Sequence, residues 1–269
     1  MGKQSIISTQ MQNMKKLIQL CIIAISFIFF SCDEDSTSGD TSSSEAAVGS
    51  YANMLTYLDR LYLISTSEII TMDITDRSIP VELDRQTLGF NIESLFRRGE
   101  TLFIGSATDL YIYGIADNGI PKQLSVTTYG VNFPICSRDP VVTNDSIAYV
   151  TLSTTISDNC GRTNTNELKL LDISELTDPV QLNAVDMISP KGLGLDGNWL
   201  FVCEQNHGLK VFDVSDPREV TLIHHFDGYR AFDVIVQSGL LIVVGPDDLY
   251  QYDYSDMDDM HLVSVYRIT

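Results

Sequence analysis

A segment of about forty residues recurs along this chain, and that recurrence limits the fold more than any other feature. SEIITMDITDRSIPVEL begins at Ser67, TDLYIYGIADNGIPKQL at Thr108 and NELKLLDISELTDPVQL at Asn166. HGLKVFDVSDPREVTLI then begins at His207, and DDLYQYDYSDMDDMHLV at Asp247. The equivalent positions are Asp73, Gly114, Asp172, Asp213 and Asp253, separated by 41, 58, 41 and 40 residues. A period near 40 in a chain of short apolar runs belongs to a propeller or a solenoid.

Strand content decides between them. The fourth repeat holds four apolar runs, at 193–195, 199–203, 209–214 and 220–225. Asp196-Gly197-Asn198, the stretch 205–208 and SDPRE separate them, all with turn compositions. Four short antiparallel strands per repeat make a propeller blade. The fold expected is all-β, a five-bladed propeller of four antiparallel strands per blade over residues 51–269. Apolar residues crowd both faces of the third strand, as in LKLLDI, which suits a blade covered on both sides. The motif aspartate ends that strand, where its carboxylate can accept turn N–H groups. Ser174, Ser215 and Ser255 can do the same, and Pro80, Pro121 and Pro179 stop the ladder. These aspartates are therefore read as structural, and no catalytic residue is assigned. Each repeat starts with its innermost strand, from Met54, and the last ends with HLVSVYRI. Closure then rests on packing between the first and last blades, unless AAVGSY adds an edge strand.

LKLLDIS and LKVFDVS, each followed by DP, resemble LVIVD repeats, and the chain from about residue 50 onward resembles LVIVD-repeat lipoproteins of Bacteroidetes. The resemblance implies a propeller and surface anchoring, and supplies neither activity nor catalytic residues. Gly114, in place of the aspartate, and SDMDDM, which lacks the proline, are the departures.

Residues 1–31 read as a lipoprotein signal peptide. Lys15 and Lys16 precede an apolar run from Leu17 to Phe30, and Ser31 and Cys32 follow. The run is short for a spanning helix. Translation starting at Met14 would leave the signal intact. Cys32 resembles the acylated cysteine of a lipobox, and Asp33, Glu34 and Asp35 resemble a surface-export signal. Residues 32–50, small and polar, read as a flexible acidic, Ser-rich tether. The expected location is the outer membrane, lipid-anchored through Cys32 and surface-exposed.

The formal charge is −19, and loss of residues 1–31 removes three lysines and no acid, leaving −22. Such a chain repels phosphate backbones, so nucleic acid is not an expected partner. Of five cysteines, Cys21 leaves with the signal, Cys32 is acylated and Cys203 sits mid-strand as a small core residue. Cys136 and Cys160 remain. Cys160 lies in the long insertion of the third repeat and Cys136 precedes that repeat's first strand, so export through an oxidising compartment predicts a Cys136–Cys160 disulfide.

No GxGxxG, P-loop, GxSxG or HExxH occurs, nor any CxxC, so no cofactor and no metal are assigned. His224 and His225 are neighbours in a strand and face opposite ways. Asp247, Asp248, Asp256, Asp258 and Asp259 crowd the last repeat, with spacing that matches no calcium loop and reads as a solvated edge. Aligning first strands on Met54, Leu95, Val141, Leu193 and Val234 puts Ala52, Glu93, Asp139, Lys191 and Phe232 in equivalent positions before them, with Arg138 and Arg230 just outside. Glu93, Arg138, Asp139, Lys191 and Arg230 are the candidate channel-mouth binding set, for a small anionic or hydroxyl-rich ligand, or as salt bridges that close the channel. The function expected is a binding or interaction module for a protein or glycan ligand. A glycan-active enzyme or a structural subunit of an envelope complex is the alternative.

Overall fold

The computed structural model describes residues 53–130, 140–153 and 165–268, all within one compact unit, Ala46–Thr269. Cys32, Cys136, Cys160, Arg138 and Asp139 lie outside the described residues, as do the signal and the whole tether. The described residues form twenty strands in five four-stranded sheets, each built from consecutive antiparallel strands. Blade 1 comprises β1 (Met54–Tyr57), β2 (Arg60–Ile64), β3 (Glu68–Asp73) and β4 (Val81–Thr87). Blade 2 comprises β5 (Ile92–Arg98), β6 (Thr101–Ser106), β7 (Asp109–Ile115) and β8 (Pro121–Thr128). Blade 3 comprises β9 (Val141–Thr143), β10 (Ile147–Ser153), β11 (Asn166–Asp172) and β12 (Val180–Asp186). Blade 4 comprises β13 (Leu193–Asp196), β14 (Trp199–Cys203), β15 (Leu209–Asp213) and β16 (Thr221–Phe226). Blade 5 comprises β17 (Asp233–Gln237), β18 (Leu240–Val244), β19 (Asp248–Asp253) and β20 (His261–Arg267).

The ladder registers reproduce the alignment of the inner strands. Met54, Leu95, Val141, Leu193 and Val234 pair with Leu63, Ile104, Val150, Val202 and Val243. The insertion of the third repeat leaves and returns at a closed rung, Ser153 opposite Asn166.

The motif aspartates cap the turn between third and fourth strands. Oδ1 of Asp73, Asp172, Asp213 and Asp253 accepts the backbone N–H two residues on, at 2.8 to 2.9 Å. In blade 2, where Gly114 has no carboxylate, Asn118 Oδ1 accepts from Ile120 N at 3.0 Å, four residues further along. These bonds hold the aspartates below their ordinary pKa. The Thr75 and Ser255 hydroxyls lead at Asp73 and Asp253, and the Ser174 and Ser215 N–H groups lead at Asp172 and Asp213. A carboxyl depressed in the folded state stabilises it above the unfolded pKa, about 3.9, and loses that contribution as pH falls through the folded value. The destabilisation caused by Asp213→Ala should thus be full at neutral pH and shrink below about pH 4. Thermal melts of parent and variant across pH test this, and a cost that persists unchanged in acid would refute it.

Blade stacking follows one scheme at four junctions. An apolar cluster fills each of them, between blades 1 and 2, 2 and 3, 3 and 4, and 4 and 5. At the last of these, Phe201, Cys203, Leu209 and Val211 of blade 4 meet Val234, Leu241, Val243 and Tyr252 of blade 5. A polar clasp accompanies every cluster, running from the outer strand of one blade to a carbonyl between the third and fourth strands of the next or at the start of its fourth strand. Gln86 Nε2 donates to Pro121 O (2.7 Å), Ser125 Oγ to Leu176 O (2.6 Å) and Asn183 Nδ2 to Arg218 O (3.2 Å). His224 Nε2 bonds Met257 O at 2.7 Å.

The fifth junction differs. Among the described residues no apolar cluster joins blade 5 to blade 1. Ser264, which matches Ser125 and Asn183 in register, donates to Gln251 Oε1 of its own blade at 2.9 Å. Ile242 and Val244 take the places that Phe201 and Cys203 hold in blade 4, yet both stay half-buried. Among the described residues, the junction between first and last blades thus lacks the cluster and clasp of the other four.

Candidate ligand-binding face

Each inner strand begins at the same end of the domain, here the mouth end, and the connections between blades converge there. The mouth end of blades 3 to 5 is tied by hydrogen bonds, main-chain ones between blades 4 and 5 and a side-chain one from blade 3. Lys191 N donates to Cys203 O (2.8 Å), Gly192 N to Phe232 O (2.9 Å) and Phe232 N to Val244 O (2.7 Å). Ala231 N donates to Gln205 O (2.8 Å), and Thr151 Oγ1 of blade 3 reaches Lys191 O at 2.6 Å. Gly192 makes this convergence sterically feasible, because a Cβ there would lie 2.7 Å from Asp233 Cα and overlap its carboxylate.

Lys191 and Arg230 therefore stand on adjacent, hydrogen-bonded connections. Lys191 is half-buried, and Arg230 is exposed with its guanidinium 5.1 Å from the Phe232 ring centre. Glu93 is the extra residue of a bulge in β5, between Ile92 and Ser94, and is half-buried on blade 2. Of the five candidate residues, these three are described and all belong to the mouth end. The hydrogen-bonded connections join Lys191 to Arg230, and Glu93 lies on blade 2.

A device invisible to motif reading lies behind this face. Three residues before each motif position, the third strand carries a side chain that meets the connection arriving from the previous blade. Tyr111 packs its hydroxyl against Gly89. Lys169 Nζ donates to Tyr129 O at 2.6 Å. Lys210 Nζ lies 2.6 Å from Glu204 Oε2, and Glu204 Oε1 accepts from Ile188 N at 2.5 Å. The Tyr250 ring lies 4.2 Å from that of Tyr229. Blade 1, with no described connection arriving, has Ile70 there. Glu204 is fully buried, and the Lys210 ammonium is the counter-charge beside it. The sequence signal was a polar-headed residue inside an apolar strand, in LKLLD and LKVFD.

The other site residues are structural. Cys203 is a buried free thiol whose pKa burial raises well above normal, with Asp233 adding to the effect. His225 Nε2 bonds His207 O at 2.8 Å, on the side of β16 opposite to His224. Among the described residues no three His, Cys, Asp or Glu side chains converge as metal ligands. Asp256 caps a short 3-10 turn through Asp258 N, and Asp248 pairs with Arg267 at 3.4 Å.

A cleft of about 170 Å³ opens at the end opposite the mouth, between blades 1 and 2. Tyr57, Asp59, Arg60, Glu100 and Asp117 line it. Arg60 is engaged by Asp73 at 3.2 Å, and Tyr62 Oη donates to Gly119 O at 2.8 Å beneath it. The cleft is smaller than a typical small-molecule site of roughly 300–1,000 Å³.

Five consecutive four-stranded sheets around one axis define a β-propeller repeat protein. The LVIVD repeat family matches residues 191–228, the fourth repeat. Among solved structures, the chain resembles a protein from Lactobacillus plantarum at 18% identity and TM-score 0.60, over 77% of this chain and 67% of that one. It also resembles the periplasmic gluconolactonase PpgL of Pseudomonas aeruginosa at 13% identity and TM-score 0.60, over 78% and 68%. BamB from Moraxella catarrhalis is similar at 10% identity and TM-score 0.55, over 80% and 63%. The chain spans about two-thirds of the length of these structures. No curated protein sequence matches it.

Proposed function

We propose that this chain is a binding module of the cell envelope, held to the outer membrane through a lipid on Cys32, and that its ligand contacts the mouth end. The observation that carries the reading is the pair Lys191 and Arg230 on connections locked together by the Gly192–Phe232 bond, in a chain of charge −19. Cations held on a fixed frame in an acidic protein suit an anionic, hydroxyl-rich ligand such as a sugar acid. The gluconolactonase likeness concerns fold alone, but it makes D-gluconate a sensible first probe, with galacturonate oligosaccharides beside it.

Lys191→Ala and Arg230→Ala should each weaken probe binding several-fold in calorimetric titration, with melting temperatures close to the parent's. If neither changes binding, or if either unfolds the domain, the pair is structural. Cys32→Ser should abolish acylation and release the protein from the membrane fraction, and unchanged fractionation would refute the anchor.

An enzymatic reading on glycans is second. Glycosidases need a carboxylic acid held protonated near neutrality. Among the described residues, the carboxyl groups whose titration is displaced, Asp73, Asp145 and Asp213 among them, are displaced downward.

A further inference from the structure

The outer strands of the five blades are not alike. β4, β8, β12 and β16 each hold half-buried positions where they lean on the next blade. β20 holds none, and all seven residues are exposed. They include Leu262 at 45%, Val263 at 56%, Val265 at 51% and Tyr266 at 69%. β20 is the last strand of its sheet, so one row of backbone N–H and C=O groups is unpaired among the described residues. Edge strands are ordinarily blunted by charge, proline or brevity. β4 carries three charged residues in seven, and β8 opens on proline. β20 has no acid, in a chain where Asp and Glu number 36.

The pattern of HLVSVYR is also symmetric about Ser264. Laid antiparallel on itself, Leu262 faces Tyr266, Val263 faces Val265 and Ser264 faces Ser264. Apolar side chains oppose apolar ones and the smallest residue meets itself on the axis, the arrangement that a two-fold interface requires. The flanking pair sets His261 against Arg267, whose charge Asp248 already engages at 3.4 Å. The interior of β20 offers no charge to recruit a charged partner.

We propose that β20 is a homodimerisation edge, pairing antiparallel with the β20 of a second copy about Ser264. The two last blades would join into one continuous eight-stranded sheet. β20 lies on the rim of blade 5 and not at the mouth end, so the pairing stands whether or not the ligand reading does.

Ser264→Cys in the full chain provides the test. Side chains facing each other across the axis lie close enough for a disulfide after modest adjustment. Mild oxidation should give a covalent dimer on a non-reducing gel, and peptide mass analysis should find the introduced thiols of two copies linked to each other. Thr221→Cys, exposed on β16, should give no such self-link. Adding Val263→Lys and Val265→Lys to Ser264→Cys should abolish the link, because like charges would then oppose across the axis. The proposal is overturned if the thiol introduced at position 264 stays reduced, if it joins another cysteine of the same chain, if Thr221→Cys dimerises as readily, or if the lysines leave the link intact. An edge covered instead by residues 46–52 or by an unrelated protein would show as the first of these.

Discussion

Glu204→Ala should be among the most damaging single changes in the described domain, costing about 3–5 kcal/mol. Glu204 is fully buried and Lys210 nearly so. Truncation leaves the Lys210 ammonium without its counter-charge and Ile188 N without its acceptor. Against a total stability of roughly 5–15 kcal/mol, that loss is severe. Lys210→Met placed in the same chain should recover much of it, since replacing both partners removes the stranded charge. Chemical denaturation of the single and double variants measures both quantities. If the double variant is no better than Glu204→Ala, the contact does not act as a pair.

Phe201→Ala should cost about 3–5 kcal/mol, while Ile242→Ala should cost about 1 kcal/mol. The two residues hold the same place in successive blades, opposite Val211 and Gln251. Phe201 is fully buried by blade 5, with its ring 4.9 Å from that of Tyr254. Ile242 is half-buried, at the junction where no apolar cluster forms among the described residues. Unequal costs would establish that the fifth junction is looser than the fourth. Equal costs would mean that blade 1 covers blade 5 as fully as blade 5 covers blade 4.

Much of this architecture could be read from residues because each repeat restates it. The turn residues after Asp213 and the apolar runs placed the strands of blade 4 to within a residue, and β14 at Trp199–Cys203. The carboxylate caps were legible because an aspartate at a strand end has few other uses. The inter-blade clasps were not, since Gln86, Ser125, Asn183 and His224 share a role without sharing a side chain. What they share is a donor reaching a carbonyl on another blade, which only packing reveals. Glu204 was hidden similarly: its partner Lys210 lies six residues away across a turn, and nothing in EQNHGLK marks the pair as buried. At the mouth, register fixed the equivalence of Glu93 and Lys191. The Gly192 contact with Asp233 depends on how closely blades 4 and 5 converge.

The most direct measurement of the ligand-face claim is hydrogen exchange on the intact protein, with and without D-gluconate or galacturonate oligosaccharides. The mouth-end connections 88–93, 187–192 and 227–232 should gain protection when the probe binds. The turns at 58–60, 99–100 and 115–119 should not. Protection confined to those turns would put the ligand in the cleft at the opposite end and contradict the account.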